Sequence, residues 1–115
     1  AYIEPEAGFA VPTPGGVAIT ACTQAPYMDR EETARVLGIA EHHVRIIPSA
    51  CGGGFGGKLD VSIQPLLAIA ARKLNRAVRI VYSRTESMVS TTKRHPARIR
   101  ARMSADAEGR FTGFA

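Results

Sequence analysis

The sequence of 115 residues lacks the features that mark several common classes of protein. It has two cysteines, too few for a disulfide framework or a zinc site, and it has no tryptophan. Its longest apolar stretch, Leu66 to Ala71, is far shorter than the roughly 20 residues that cross a bilayer, and no basic-then-apolar signal pattern opens the chain. We therefore expect a folded domain without a membrane segment, in a reducing, cytoplasmic compartment.

Acidic residues are scarce in the second part of the chain, and basic residues are scarce in the first. Residues 1–43 carry two arginines against six acidic residues, whereas residues 44–115 carry thirteen lysines and arginines against four acidic residues. The basic part is compatible with an anion-binding surface for a phosphate-bearing cofactor, and also with a solvated exterior or a face covered by other segments. The low aromatic content, without a recognised binding motif, argues against a nucleic-acid partner.

Nucleophilic and metal-ligating side chains are also few. We expect Cys22, in an apolar strand, and Cys51, before a glycine-rich loop, to be buried structural thiols whose strand ends lie close together. His42, His43 and His95 lie in or near loops, and we expect structural roles for them. We predict no direct metal ligand in the chain.

Glycine, by contrast, is concentrated at one place. The segment from Cys51 to Lys58 reads C-G-G-G-F-G-G-K, with glycine at five of the six positions from 52 to 57. Glycine tolerates positive φ and lets the backbone approach another molecule closely, so such a run is typical of a loop whose amides surround a ligand. We therefore interpret residues 52–57, called here the glycine loop, as a binding device.

Two well-known nucleotide-binding loops share parts of this pattern. A P-loop needs a serine or threonine after its Gly-Lys pair to hold magnesium, and here Leu59 stands in that place. A dinucleotide-binding loop fits the glycine spacing but needs an acidic residue at the end of the next strand, and no carboxylate follows that strand before Glu86. A non-catalytic nucleotide- or anion-binding α/β module is the alternative to the interpretation given below.

Hydrophobic periodicity predicts an α+β fold, a two-layer α/β domain in which two helices pack on one face of one mixed sheet. The predicted order is β-hairpin, helix, strand, glycine loop, helix, strand and β-hairpin, in a single domain of residues 1–115. Asp29 is the predicted N-cap of the first helix, which Gly38 ends, and Asp60 is the predicted cap of the second, with Pro65 in or near its first turn. The predicted strands are residues 7–11, 17–23, 44–48, 78–83, 98–103 and 110–114, and the first helix is residues 30–37.

Several short motifs resemble those of a known family. Residues 52–58 match, letter for letter, the G-G-G-F-G-G-K loop of the molybdenum hydroxylases, the xanthine dehydrogenase and aldehyde oxidase family. The other segments resemble the family's L-E-P, T-Q-x-P, R-x-E-x-M, K-R-H-P and D-x-x-G-R elements, at residues 4–5, 23–26, 84–88, 93–96 and 106–110. Because these elements are ordered along essentially the whole chain, the sequence is identified as a member of this family.

The resemblance implies a cofactor, molybdopterin, and a set of residues that contact it. The implied cofactor-binding residues are Gln24, Gly53, Gly54, Phe55 and Gly56. Amides around Phe55 and Gly56 are expected to point at an oxygen on molybdenum, and Gln24 at another oxygen ligand. Phe55 and Leu59 are expected to line the substrate channel, whereas Lys58 is expected to brace the loop or lie at the surface.

The resemblance also implies what this chain does not contain. The family's molybdenum subunit is several times longer, and its general-base glutamate has no counterpart here, so we interpret the chain as an excised domain without a catalytic residue of its own. The implied partners are the remainder of that subunit, iron–sulfur and FAD segments or subunits, and a small-molecule substrate, with the pterin in its dinucleotide form. Leu59 replaces a purine-binding glutamate, so hydroxylation of aldehydes or N-heteroaromatic and aromatic compounds, with oxygen from water, is expected.

Overall fold

The computed structural model describes residues 1–93 and 95–115, so the K-R-H-P element is described only in part. Its elements follow the predicted order with one addition, a third helix. The strands are β1 Ala7–Thr13, β2 Gly16–Ala21, β3 Val44–Pro48, β4 Val78–Val81, β5 Met103–Ala105 and β6 Phe111–Phe114. The helices are α1 Pro26–Leu37, α2 Gln64–Leu74 and α3 Arg84–Ser90, with a 3-10 turn at Glu41–His43.

The predicted mixed sheet is confirmed as a four-stranded sheet in the order β3-β2-β1-β4. β1 runs antiparallel to β2 and β4, while β2 and β3 run parallel, because the α1 crossover connects them. α2 packs against β1 and β2, and α1 packs against β3 and α2. Ile19, Ile63 and Leu67 are at most 1% exposed between these layers, and burial of each such side chain stabilises the fold by about 1.5–3 kcal/mol.

The start of α1 differs from the prediction. The helix begins at Pro26, with Ala25 as its N-cap, and Asp29 lies inside the first turn with its backbone amide bonded to the Ala25 carbonyl. Proline fixes φ at a helical value and has no amide that needs an acceptor, so it begins the helix before the acidic residue is reached. Gly38 ends the helix in the left-handed conformation, with φ of 65°, as predicted.

The start of α2 also differs from the prediction. Asp60 caps nothing: the helix begins only at Gln64, with Pro65 in its first turn. The Gln64 side-chain oxygen accepts a hydrogen bond from the Ser62 amide at 2.8 Å, and this contact closes the turn before the helix. Residues 58–63 therefore lie between the glycine loop and α2, so the loop does not open directly into the helix as the predicted cap at Asp60 implied.

α3 was missed because strand four was expected to continue through Ser83. The strand ends at Val81, and Ser83 caps the new helix: its hydroxyl accepts from the Glu86 amide at 3.2 Å, while its own amide donates to Glu86 Oε2 at 2.7 Å. This is a capping box, and its S-x-x-E signature is visible in the sequence.

The C-terminal hairpin forms a sheet of its own rather than joining the main one. The strand predicted for residues 98–103 is reduced to Met103–Ala105, which pairs with Phe111–Phe114 across a turn at Asp106 and Gly109. Residues 98–103 alternate in sequence, but both faces are exposed, so no burial favours an extended strand there. No helix in the described part of the chain has the length and apolar character needed to cross a membrane.

Candidate functional site

Three segments that are distant in sequence meet at the glycine loop. They are the N-terminal residues 2–6, the segment at Gln24, three residues past the end of β2, and the loop itself. The backbone amide of Gln24 donates to the carbonyl of Lys58 at 3.0 Å, so the chain beyond the loop returns to the edge of β2. Of the predicted site residues, the structure thus brings Gln24 together with the loop.

The side chain of Gln24 is oriented by the loop. Its Oε1 accepts hydrogen bonds from the amides of Gly56 at 3.1 Å and Lys58 at 3.3 Å. Since both partners are donors, the oxygen must face them and the NH2 group must face away. Within the described part of the chain that NH2 group has no acceptor, and Gln24 is exposed, so two N–H donors remain free for a ligand.

Different glycines of the loop are required for different physical reasons. Gly53 and Gly56 have φ values of 99° and 82°, a region that side chains disfavour. At Gly54 a Cβ would lie 2.3 Å from Gln24 Oε1, and at Gly57 a Cβ would lie 2.6 Å from the Tyr2 ring. The loop is therefore shaped both by its backbone conformation and by close contact with Gln24 and Tyr2.

The loop amides fall into two groups. Three of them are used internally: Gly52 donates to Glu4 Oε2 at 2.7 Å, Gly57 to the Gly54 carbonyl at 2.8 Å, and Gly56 to Gln24 Oε1 at 3.1 Å. The amide of Lys58, directly after the loop, also donates to Gln24. The amides that donate to no acceptor within the described residues are those of Gly53, Gly54 and Phe55. Consecutive free amides beside the Gln24 NH2 group suit an oxygen-rich or anionic ligand.

The two residues predicted to line a substrate channel lie at the surface of this chain. Phe55 is 68% exposed and has a φ of 52°, an uncommon conformation for an aromatic residue. Leu59 is 43% exposed in the turn that follows the loop. Neither side chain is needed for the core.

Lys58 braces the loop from below. It is 4% exposed, and its Nζ donates to Glu4 Oε2 at 2.6 Å. Burial alone would lower the pKa of Lys58, but the bond to Glu4 and the interactions with both cysteine thiols outweigh burial and raise it. Burial would likewise raise the pKa of Glu4, yet the hydrogen bonds from Lys58 and the Gly52 amide lower it. The pair is therefore ionised at neutral pH.

Sequence reasoning missed the role of Tyr2. Tyr2 is 2% exposed, and two ammonium groups lie over its ring, with Lys58 Nζ 4.8 Å and Lys93 Nζ 4.6 Å from the ring centroid. Its hydroxyl donates to Glu6, and Lys93 Nζ donates to the hydroxyl at 2.8 Å. An aromatic residue two positions before the L-E-P-like element was the available signal. This contact ties the N-terminal segment, the glycine loop and the end of α3 together.

The two cysteines occupy different environments. Cys22 is buried, as predicted, with 6% exposure, but Cys51 is exposed, so that prediction was wrong. The chain leaves the sheet at Pro48, and Cys51 lies beyond it in an irregular segment that the core does not cover. His42 and His43 are exposed in the 3-10 turn, and no cluster of three His, Cys, Asp or Glu side chains in the described residues is arranged for a metal.

Comparison with known proteins assigns this chain to a family. The molybdopterin cofactor-binding domain profile matches residues 1–115. The chain belongs to the molybdopterin cofactor-binding domain family. It is 45% identical over 109 residues to a probable xanthine dehydrogenase subunit from Bacillus subtilis, with 94% of this chain and 15% of that protein covered. It is 39% identical to the nicotinate dehydrogenase large molybdopterin subunit of Eubacterium barkeri, with 96% of this chain and 26% of that protein covered.

Solved structures agree with the family. The aldehyde oxidoreductase of Desulfovibrio gigas matches with a TM-score of 0.77 and 25% identity, over 82% of this chain and 10% of that one. Quinoline 2-oxidoreductase from Pseudomonas putida 86 matches with a TM-score of 0.75 and 26% identity, over 99% of this chain and 15% of that one. The molybdopterin-binding domain described here therefore spans a small part of the proteins that it matches.

The site of this molybdopterin-binding domain fits such a cofactor better than it fits a nucleotide triphosphate. A P-loop lysine opens a helix and reaches phosphates, whereas Lys58 is buried on Glu4 and the helix begins only at Gln64. The same separation argues against a dinucleotide fingerprint, which needs the helix N-terminus at the loop. The free amides and the Gln24 NH2 group are donors suited to the oxygens that surround an oxidised metal.

Proposed function

We propose that the protein containing this chain is a molybdopterin-dependent oxidoreductase that hydroxylates an aldehyde or an N-heteroaromatic or aromatic substrate with oxygen derived from water. Membership of the family and the names of the relatives support the reaction class, whereas the substrate class rests on Leu59 alone. Because the chain spans about 15% and 26% of those two relatives, the catalytic base is assigned to a segment outside residues 1–115. The role proposed for this chain is to hold and orient the cofactor.

The residues proposed to face the cofactor are Gln24, Gly53, Gly54, Phe55 and Gly56. When bound, the cofactor supplies the redox centre that accepts an electron pair from the substrate. Within residues 1–93 and 95–115 the amides of Gly53, Gly54 and Phe55 donate to no acceptor, whereas that of Gly56 already donates to Gln24. We therefore assign Gly56 a shaping role, through its positive φ and its bond to Gln24, and assign direct donation to the three preceding amides.

One observation carries the proposal: the Gln24 amide is fixed by the loop with its NH2 group outward. A donor that is already oriented loses little conformational entropy when it meets a developing or resident negative oxygen. Gln24 and the loop thus form one preorganised set of donors, since each fixes the other.

The substrate class rests on Leu59. Its side chain is partly exposed directly after the loop and offers no hydrogen bond to a polar ring edge. A purine placed against it would leave a donor or acceptor unpaired, which disfavours purines by about 1–3 kcal/mol. We propose Phe55 and Leu59 as walls of a substrate channel that other segments complete.

The proposed assembly follows from the short span of the chain. The other partners are the rest of the molybdenum subunit, which closes over the loop, and iron–sulfur and FAD segments or subunits, which carry electrons away. The dinucleotide form of the pterin and a cytoplasmic location are further parts of this proposal.

The test uses two substitutions at Gln24 in the full-length protein. Gln24→Glu keeps an oxygen acceptor for the loop amides but removes the NH2 donor, whereas Gln24→Ala removes both. We expect Gln24→Glu to lower kcat/KM by about 100-fold or more while molybdenum content and melting temperature stay near those of the wild type. Gln24→Ala should lower both turnover and melting temperature, because the loop loses its brace.

The comparison separates orientation of the cofactor from simple support of the loop. Full turnover in Gln24→Glu would show that the NH2 group meets no ligand, and loss of molybdenum in proportion to activity would assign Gln24 to retention of the cofactor instead. Purified full-length protein without molybdenum would contradict the proposed activity as a whole. The ratio of kcat/KM for an aromatic aldehyde to that for xanthine, measured in the wild type, tests the substrate class.

A further inference from the structure

The thiol of Cys51 contacts a buried ammonium group beside the glycine loop. The Cys51 Sγ is exposed, lies 3.9 Å from Lys58 Nζ, and donates to the carbonyl of Gly53 at 3.4 Å. Lys58 itself is held in place by its ion pair with Glu4. The Cys51 thiol is therefore held by two contacts, one from Lys58 to its sulfur and one from its proton to Gly53.

The sheet register places Cys22 next to this cluster. Ala21 pairs with Pro48 at the end of the parallel β2–β3 ladder, and the Ser49 amide donates to the Ala21 carbonyl at 3.0 Å. The chain that leads to Cys51 therefore runs beside Cys22. A hydrogen bond with the Cys22 thiol also helps to raise the pKa of Lys58, against the burial that would lower it.

We propose that Cys22 and Cys51 form a reversible, peroxide-sensitive disulfide beside the glycine loop. Cys51 is the thiol that meets the oxidant, since it is exposed, and Cys22 is the resolving thiol, since it is buried beside the segment that leads to Cys51. This proposal goes beyond the function proposed above and does not depend on it.

The chemistry balances with hydrogen peroxide as the oxidant. The Cys51 sulfur, as thiolate, attacks one peroxide oxygen, the O–O bond breaks, and sulfenic acid and hydroxide form. The Cys22 sulfur then attacks the sulfenic sulfur, an S–S bond forms, the S–O bond breaks, and the oxygen leaves as water after protonation. Two thiols lose two electrons in all, and one peroxide becomes two waters.

The position of the cross-link gives it a consequence. Oxidation removes the S–H donor that Cys51 offers to Gly53 and ties the end of β2 to the start of the loop. Because Lys58 Nζ contacts the Cys51 sulfur and Glu4, movement of this sulfur toward Cys22 disturbs the brace beneath the loop. Reduction by a dithiol reverses the change.

Peptide-level mass spectrometry of the native full-length protein tests the pair. The protein is treated with a few equivalents of hydrogen peroxide, its remaining thiols are alkylated, and it is cleaved with trypsin. Cleavage after Arg30, Arg45 and Lys58 places the two cysteines in different peptides, so the disulfide appears as a cross-linked pair. We expect this pair in the wild type, its loss after dithiothreitol, and a dimedone adduct on Cys51 when the same treatment is applied to Cys22→Ser.

Cys51→Ser is the matched control, since it removes the exposed thiol and leaves Cys22 in place. Cys22 should then stay reduced under the same treatment. The proposal is overturned if both wild-type cysteines stay alkylatable, if Cys51 proceeds to sulfinic acid without a cross-link, or if Cys22 in Cys51→Ser oxidises as fast as in the wild type. The cross-link in the wild type decides the matter even if a serine variant fails to fold.

Discussion

At the residue scale, the site depends on contacts that only particular side chains permit. Gln24 can form hydrogen bonds with the loop because Gly54 has no Cβ in its way. The loop holds its shape because Gln24 accepts hydrogen bonds from the amides of Gly56 and Lys58. Phe55 is different, because its left-handed backbone costs about 1–2 kcal/mol and its ring is largely exposed. Strain of this kind, kept without a packing benefit, points to a functional reason for the aromatic ring.

Substitution of Phe55 tests that reasoning. Both Phe55→Gly and Phe55→Ala lose the aromatic ring, but only Phe55→Gly also removes the backbone strain. We therefore expect Phe55→Gly to be at least as stable as Phe55→Ala, with a free energy of unfolding up to about 1 kcal/mol higher. Urea unfolding of the two variants measures the difference. In the full-length protein both should lose turnover. A Phe55→Gly variant that is clearly less stable than the wild type, with normal turnover, would assign the ring to packing instead.

At the scale of elements, a buried polar contact joins the two main helices. Asp29 in α1 is 0% exposed, and its Oδ2 accepts from Gln64 Nε2 in α2 at 3.0 Å, while its Oδ1 has no partner within the described residues. Burial raises the pKa of Asp29, although its interactions with Thr23 and Gln64 lower it. The bond from Gln64 therefore joins α1 to α2 through a buried carboxylate.

The raised pKa of Asp29 predicts a pH dependence of stability. The folded state binds the proton more tightly than the unfolded state, so stability contributed by this group is present at low pH and falls as pH rises above the ordinary value of 3.8 through the folded value. Asp29→Asn keeps the acceptor for Gln64 without a charge, so its stability relative to the wild type should increase from pH 4 to pH 7. Urea unfolding of both proteins at the two pH values measures this, and parallel pH profiles would contradict it.

At the scale of the whole molecule, the chain is elongated, with extents of 70 × 25 × 22 Å. The four-stranded sheet with α1 and α2 holds the buried hydrophobic core, whereas the C-terminal hairpin is exposed on every residue. Phe111 and Phe114 in that hairpin are 80% and 78% exposed. The sheet and the two helices supply a hydrophobic core of their own, and we propose that enclosing the cofactor needs other segments of the subunit.

We therefore expect the isolated chain to unfold cooperatively but to bind no molybdenum cofactor and show no turnover. Thermal unfolding followed by circular dichroism tests the first part, and metal analysis after incubation with extracts that contain the cofactor tests the second. The full-length protein, treated in the same way, is the positive control. Stoichiometric molybdenum on the 115-residue chain would show that these residues are sufficient for the cofactor.

The sequence alone determined the features that depend on local patterns. Periodicity predicted the first hairpin, β3 at Val44–Pro48 and the mixed sheet, and Gly38 predicted the end of α1, because these patterns reflect backbone conformation and one buried face. The five glycines predicted a binding loop, and the short motifs along the chain predicted the family.

Tertiary structure decided what depends on partners distant in the chain. Asp29 resembles a helix cap in sequence, but the fold buries it against Gln64. Lys58 was expected either to brace the loop or to lie at the surface, and the fold decides for the brace by pairing it with Glu4. Cys51 is exposed and Tyr2 buried for the same reason: burial depends on which segments cover a side chain, and no local pattern records that. The orientation of Gln24 likewise exists only because the glycine loop returns to the end of β2.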